Sequence, residues 1–289
     1  MLVHILQAIV LGIVQGATEF IPVSSSAHLI IVPWLFGWTD PSLTSLPFDV
    51  ALHLGTLVAV LAFFAADWVR LIRAWLASVA ERKIGGDPDR RLAWLVLVGT
   101  IPGALVGWLS ESKIEGLFHQ PNAPIRPVAM IAMAVIIAAL GLALYEADRL
   151  AVHDRGLKHL GRRDALLVGL AQALAVFPGV SRSGSTITAG LALGMERDTA
   201  ARFSFYLSAP IIAGAGAKSL LEIVKGLHTG AIARADMVLF PAGVIAAAVT
   251  GYLCIGFLLR YLQSNSTNVF VRYRWALAVL LVIVVLVRG

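Results

Sequence analysis

The chain has 289 residues, 58% hydrophobic and 14% charged, with a net charge of +6 and a mean hydropathy of +0.84. That balance excludes a soluble globular domain and predicts a polytopic membrane protein, since a span takes about 20 mostly apolar residues. A lone cysteine, Cys254, excludes an internal disulfide and any multi-cysteine metal site. The surplus of Lys and Arg reads as loop charge rather than a nucleic-acid footprint.

The first 69 residues hold no Lys or Arg, so no basic n-region of a cleavable signal is expected. Residues 2–36 form an apolar segment interrupted midway by "FIPVSSSAH". Spans are predicted near 48–69, 92–110 and 127–147. A second interrupted segment, 164–195, breaks at "FPGVSRSGS", and spans near 200–223, 237–260 and 271–287 follow. Proline removes a backbone donor and clashes with the preceding turn, so no smooth helix passes through either break. At membrane depth such backbone is tolerated only inside protein or beside a polar cavity. Both segments are therefore predicted to be re-entrant helix–loop–helix units.

The two segments resemble each other. With "GIVQGATEFIPVSSS" (12–26) placed over "GLAQALAVFPGVSRS" (169–183), Gly12, Gln15, Phe20, Val23, Ser24 and Ser26 match Gly169, Gln172, Phe177, Val180, Ser181 and Ser183 at a constant offset of 157. A weaker echo pairs "ALVGWL" (104–109) with "AVTGYL" (248–253). The expected fold is an all-α polytopic membrane protein in one domain, 1–289. Repeat 1 covers about 1–147 and repeat 2 about 164–289, each a re-entrant unit plus three transmembrane helices.

Loop charge orients this arrangement. Segments 70–91, 148–164 and 260–274 carry 14 Lys and Arg, against 4 in 111–126 and 224–236. The positive-inside rule puts the first set in the cytoplasm. Three spans per repeat invert the second repeat relative to the first, so the broken tips can meet near the midplane.

The chemistry concentrates at the breaks. Gln15 and Glu19 share a helix face, Ser24, Ser25 and Ser26 form a turn, and His28 follows. An ionisable residue inside a membrane segment is costly and marks a functional site by default. The second break supplies Arg182, whose planar fork of donors suits phosphate oxygens. Ser181, Ser183, Ser185 and Thr186 offer hydroxyls, Gly179 and Gly184 allow close backbone approach, and a helix starting near Ser183 would aim its amides at an anion. A carboxylate, a histidine, hydroxyls and an anion cradle together suit phosphoryl chemistry. No Asp-rich diphosphate motif is present, so a divalent cation would bridge the diphosphate to Glu19, with Gln15 as a neighbouring amide. The other six histidines, His53 among them, show no metal-ligand spacing and read as loop or packing residues.

"QGATEFIPVSSSAH" and "PGVSRSGST" resemble the two signature motifs of the undecaprenyl-diphosphatase family of bacterial membrane phosphatases, the bacitracin-resistance type. The similarity also covers "LHLGTLVAV" (52–60) and "RFSFYLSAP" (202–210). It implies hydrolysis of undecaprenyl diphosphate to undecaprenyl phosphate and inorganic phosphate, which recycles the lipid carrier for cell-wall polymers. It also implies a multi-pass protein of the bacterial inner membrane, with a site opening outward and dependence on Mg or Ca. By position, the family's acidic pair falls on Gln15 and Glu19, with Gln in first place. Its nucleophile falls on Ser25, its histidine on His28 and its phosphate-binding arginine on Arg182. Ser181 and Thr186 match its hydroxyl positions, and Gly179 and Gly184 its glycines.

Attack by Ser25 and direct attack by water, with Glu19 or His28 as base, both remain open at this stage. The expected partners are the lipid substrate and the membrane, with no nucleic acid and a homodimer left open. A lipid-phosphate flippase using the same anion site is the competing class. An intramembrane serine protease would leave Glu19 and Arg182 without a role.

Overall fold

The computed structural model describes residues 1–118, 127–229 and 239–288, without the side chains of residues 46, 111–118 and 218–229. Among them are eleven α-helices and no multi-residue strand. In order they are α1 (Leu2–Phe20), α2 (Ser25–Phe36), α3 (Leu46–Phe63), α4 (Ala65–Ala80), α5 (Pro88–Phe118), α6 (Pro127–Leu150), α7 (Arg162–Ala173), α8 (Arg182–Ala192), α9 (Arg197–Thr229), α10 (Leu239–Leu262) and α11 (Asn268–Arg288). The chain is an all-α polytopic membrane protein. Five helices, α1, α5, α6, α10 and α11, are long and apolar enough to cross a bilayer, and the bent pair α3–α4 makes a sixth if it counts as one span.

Both predicted breaks are real. α1 ends at Phe20 and α2 starts at Ser25. After α7, a short 3₁₀ turn at Leu174–Val176 leads to the second break, and α8 starts at Arg182. The span expected over 48–69 differs. The helix stops at Phe64, and α4 turns away by 80°. Asp67, Arg70 and Arg73 enter just beyond that point, and charges do not continue into hydrocarbon at small cost. Asp67 instead accepts a hydrogen bond from Tyr206 and pairs with Arg70. Much of 70–91 is thus helix rather than loop. The predicted loops 111–126 and 224–236 begin as helix at the ends of α5 and α9, and their remaining residues lie outside those described.

Two helix crossings bring the sequence halves together. α10 packs along α1, and α5 along α7. A Cβ at Gly12 would overlap the Gly243 carbonyl, and a Cβ at Gly169 would overlap the Gly99 carbonyl. Gly12 and Gly169 are aligned positions of the two repeats, so each re-entrant unit is seated the same way on a long helix from the other half. Small residues permit such backbone approach where no water-driven force pulls helices together. α6 and α11 pack against each other, as do α3 and α9. The central core, with Phe20, Phe64, Phe203, Phe205 and Tyr206 buried together, lies beside the first break. Phe20 meets Phe205 edge to face, with ring centroids 5.3 Å apart.

Candidate active site

The two turns share one unusual backbone conformation. Ser24, the N-cap of α2, has φ 80° and ψ 94°, and Ser181, the N-cap of α8, has φ 60° and ψ 111°. These are aligned positions, and only four described non-glycine residues have positive φ. Such backbone costs about 1–3 kcal/mol per residue and persists where its surroundings impose it. The hydroxyls of Ser24 and Ser26 lie 3.4 Å apart, as do those of Ser181 and Ser183. The first residue of each helix, Ser25 and Arg182, meets Glu19, Ser25 from the same half of the chain and Arg182 from the other.

Glu19 is the hub. It is buried at 4% exposure. Its Oε1 accepts from Arg182 Nη2 at 2.9 Å. Its Oε2 accepts from Ser25 Oγ at 2.6 Å and from Gln15 Nε2 at 3.0 Å. His53 Nε2 stands 3.5 Å from the same oxygen. A buried carboxylate needs a cation and hydrogen-bond donors, and this one has both.

Two buried atoms of the cluster have no hydrogen-bond partner among the described residues: the donor Arg182 Nη1 and the acceptor Gln15 Oε1. Buried polar groups are paired in the great majority of cases, so these two atoms are available to a ligand, an ion or water. A free guanidinium N–H suits an anionic oxygen, and a free amide oxygen suits a hard cation. Among the described residues no group of three or more His, Cys, Asp or Glu could hold a metal. Glu19 and Gln15 Oε1 are nonetheless hard oxygen donors of the kind Mg or Ca accepts alongside substrate phosphates. α2 has no side-chain cap, so its first amides are also left for a ligand or water.

The family described as bacitracin resistance protein BacA matches residues 8–280. The chain belongs to the BacA family. It is 50% identical over 282 residues to an undecaprenyl-diphosphatase of Thermomicrobium roseum, covering 98% of each chain. It is 48% identical to one of Moorella thermoacetica, covering 98% of this chain and 99% of that one. An undecaprenyl-diphosphatase 2 of Stutzerimonas stutzeri is 46% identical, with 96% and 98% covered.

Within this BacA chain, Gln15, Glu19, Ser25 and Arg182 come together as the motifs suggested, and the other expected site residues sit around them. His28 does not reach Ser25 in the described hydrogen bonds. Its Nδ1 donates to Ser24 O at 2.6 Å, since a carbonyl can only accept, and its Nε2 then accepts from Tyr273 OH at 2.7 Å. His28 therefore braces the turn. Ser181 Oγ accepts from Gly184 N at 3.0 Å, Ser183 Oγ donates to Ile21 O at 3.2 Å, and Thr186 Oγ1 lies 2.7 Å from Ser204 Oγ. These hydroxyls, expected to face phosphate, are bonded to protein. Gly179 supplies a φ of +95°, which side chains rarely adopt.

Three site residues went unrecognised in the sequence. His53 lies in α3, and its Nδ1 donates to Asp49 O at 2.8 Å, which aims Nε2 at Glu19. Its signal was that of Glu19, an ionisable group in an apolar helix. Tyr273 stacks on His28 as well as bonding it, with centroids 5.7 Å apart. Arg274 falls in the segment 260–274 expected as a basic loop, yet it is wholly buried in α11. No pattern in "VRYRW" separates it from the exposed Arg272.

Proposed function

We propose that this chain is a prenyl-diphosphate phosphatase that hydrolyses undecaprenyl diphosphate to undecaprenyl phosphate and inorganic phosphate. The observation that carries this reading is the Ser25 hydroxyl bonded to Glu19 beside the unpaired Arg182 Nη1. Family membership and the relatives named undecaprenyl-diphosphatase support it.

Arg182 Nη1 and the first amides of α2 hold the terminal phosphoryl group, where positive charge and donors are needed. Glu19 Oε2 takes the proton of Ser25 as Ser25 Oγ attacks the terminal phosphorus. The bond from that phosphorus to the bridging oxygen breaks, and the lipid phosphate leaves with the electron pair. Glu19 passes that proton to the departing lipid phosphate and is a base again; it then deprotonates water, which attacks the phosphoserine, and the proton returns to Ser25 Oγ as phosphate leaves. His28, Ser181, Ser183, Thr186, Gly179 and Gly184 shape the two turns. Glu19 and Gln15 Oε1 would hold a Mg or Ca ion, which supplies positive charge to the diphosphate.

The chain acts as one membrane domain of two inverted repeats, about 1–147 and about 164–289. The bias of basic residues supports a cytoplasmic side for 70–91, 148–164 and 260–274. Burial of Arg274 lowers that side's count by one and leaves the bias intact. The family resemblance supports a site that opens to the outer face. The deciding experiment is phosphate release from undecaprenyl diphosphate by detergent-purified protein without any ion gradient. Release that disappears in Glu19→Ala supports the enzyme. Transport of the lipid phosphate without release supports the flippase.

A further inference from the structure

We propose that Arg274 is a positioning residue for this reaction, a buried cation that ties the two broken turns to each other. The proposal rests on the phosphatase reading above and names what aligns its parts. Arg274 has 0% exposure, and no carboxylate pairs with it among the described residues. Its Nη1 donates to Pro22 O at 2.9 Å, its Nη2 to Gly179 O at 3.3 Å and its Nε to Ile137 O at 3.2 Å. Pro22 and Gly179 are aligned positions at the repeat offset of 157. Each precedes its active residue by three, Ser25 in one half and Arg182 in the other. One guanidinium therefore grips the same carbonyl in both repeats, and its third bond fixes it to α6.

A buried charge without an acid partner is costly, so a fold alone would favour an apolar side chain here. Only the planar fork, with donors diverging from one rigid group, spans three carbonyls at once. The sequence also makes room for it. A Cβ at Gly184 would lie 2.7 Å from Arg274 Nη1. Ser181 Cβ and Oγ would lie 2.9 Å from the same Cβ, so the glycine in "SRSGS" leaves space for both the clamp and the turn it grips. Next to it, Tyr273 holds His28, so consecutive residues of α11 brace the serine turn from two sides.

The test measures kcat and KM for phosphate release, with thermal unfolding, in full-length Arg274→Lys and Arg274→Gln. Misplacing a nucleophile by about 1 Å costs about 10²-fold. Both variants are expected to lose about that much in kcat, with KM changed less than about threefold, because the alignment of Ser25 and Arg182 counts in the transition state more than in substrate binding. Lysine keeps the charge and should not rescue. Wild-type kcat in Arg274→Lys, or a loss confined to KM, overturns the positioning role. Should Arg274→Lys fail to fold, Gly184→Ala probes the same clamp, and wild-type kcat in that variant overturns it equally. A wild type that releases no phosphate sinks the phosphatase reading instead. An active wild type with equally active variants sinks only the role of Arg274.

Discussion

Ser25 Oγ stands 2.6 Å from Glu19 Oε2, while the other oxygen of that carboxylate holds Arg182, 163 positions away in the chain. Nucleophile and base come from one half of the sequence and the anion holder from the other. Glu19→Gln keeps the shape but removes the base, and the expected loss in kcat is about 10²–10⁴-fold. Ser25→Ala should be at least as damaging. Mass spectrometry of acid-quenched turnover should find phosphate on Ser25. Turnover that survives in Ser25→Ala, with no phosphoserine, hands the attack to water.

Arg182→Ala removes both the phosphate donor and the counter-charge of a buried carboxylate. Activity should fall by about 10²–10³-fold or more. Stability should fall by about 3–5 kcal/mol, since Glu19 is left as an unpaired buried charge. The double variant Arg182→Ala with Glu19→Gln should recover much of the melting temperature and none of the activity. Recovery of both would mean that the pair only holds the fold.

The crossings at Gly12 and Gly169 should be equally intolerant of alanine, because each Cβ meets a backbone carbonyl that cannot rotate aside. Overpacking of this kind costs about 1–3 kcal/mol. Gly107→Ala is the control: nothing lies within 4 Å of its Cβ, and removing a helix-interior glycine stabilises by about 0.5–1 kcal/mol. Thermal unfolding in detergent distinguishes them. A melting temperature unchanged by Gly169→Ala would contradict the close approach of α7 and α5.

Gln15→Glu adds a second carboxylate beside Glu19. Ligand charge tunes cation affinity, so half-maximal activity should need about tenfold less Mg or Ca after chelation and back-titration. An unchanged half-saturation point removes Gln15 from the cation site.

Much of this was legible in the linear chain, because solvent imposes it. In lipid, apolar length and helical backbone go together, so α5, α6, α10 and α11 follow from runs of Leu, Val, Ile and Ala. Proline and clustered serines inside an apolar run announced both breaks, and an acid and an arginine at those breaks announced the site. Where the chain turns without proline, as at Phe64, that signal was missing and the predicted span ran too far.

Sequence alone therefore determined the class of protein, its duplicated motifs and the residue types of the chemistry. Tertiary structure decided which groups touch. His28, nearest Ser25 in sequence, turned to brace Ser24 and Tyr273, while His53 from α3 took a place at Glu19. Arg274 became a buried clamp rather than a loop charge. The physical reason is common to all three. A side chain's role at membrane depth is set by which unpaired polar group it meets there. That meeting depends on helices from distant parts of the chain, which no local pattern records.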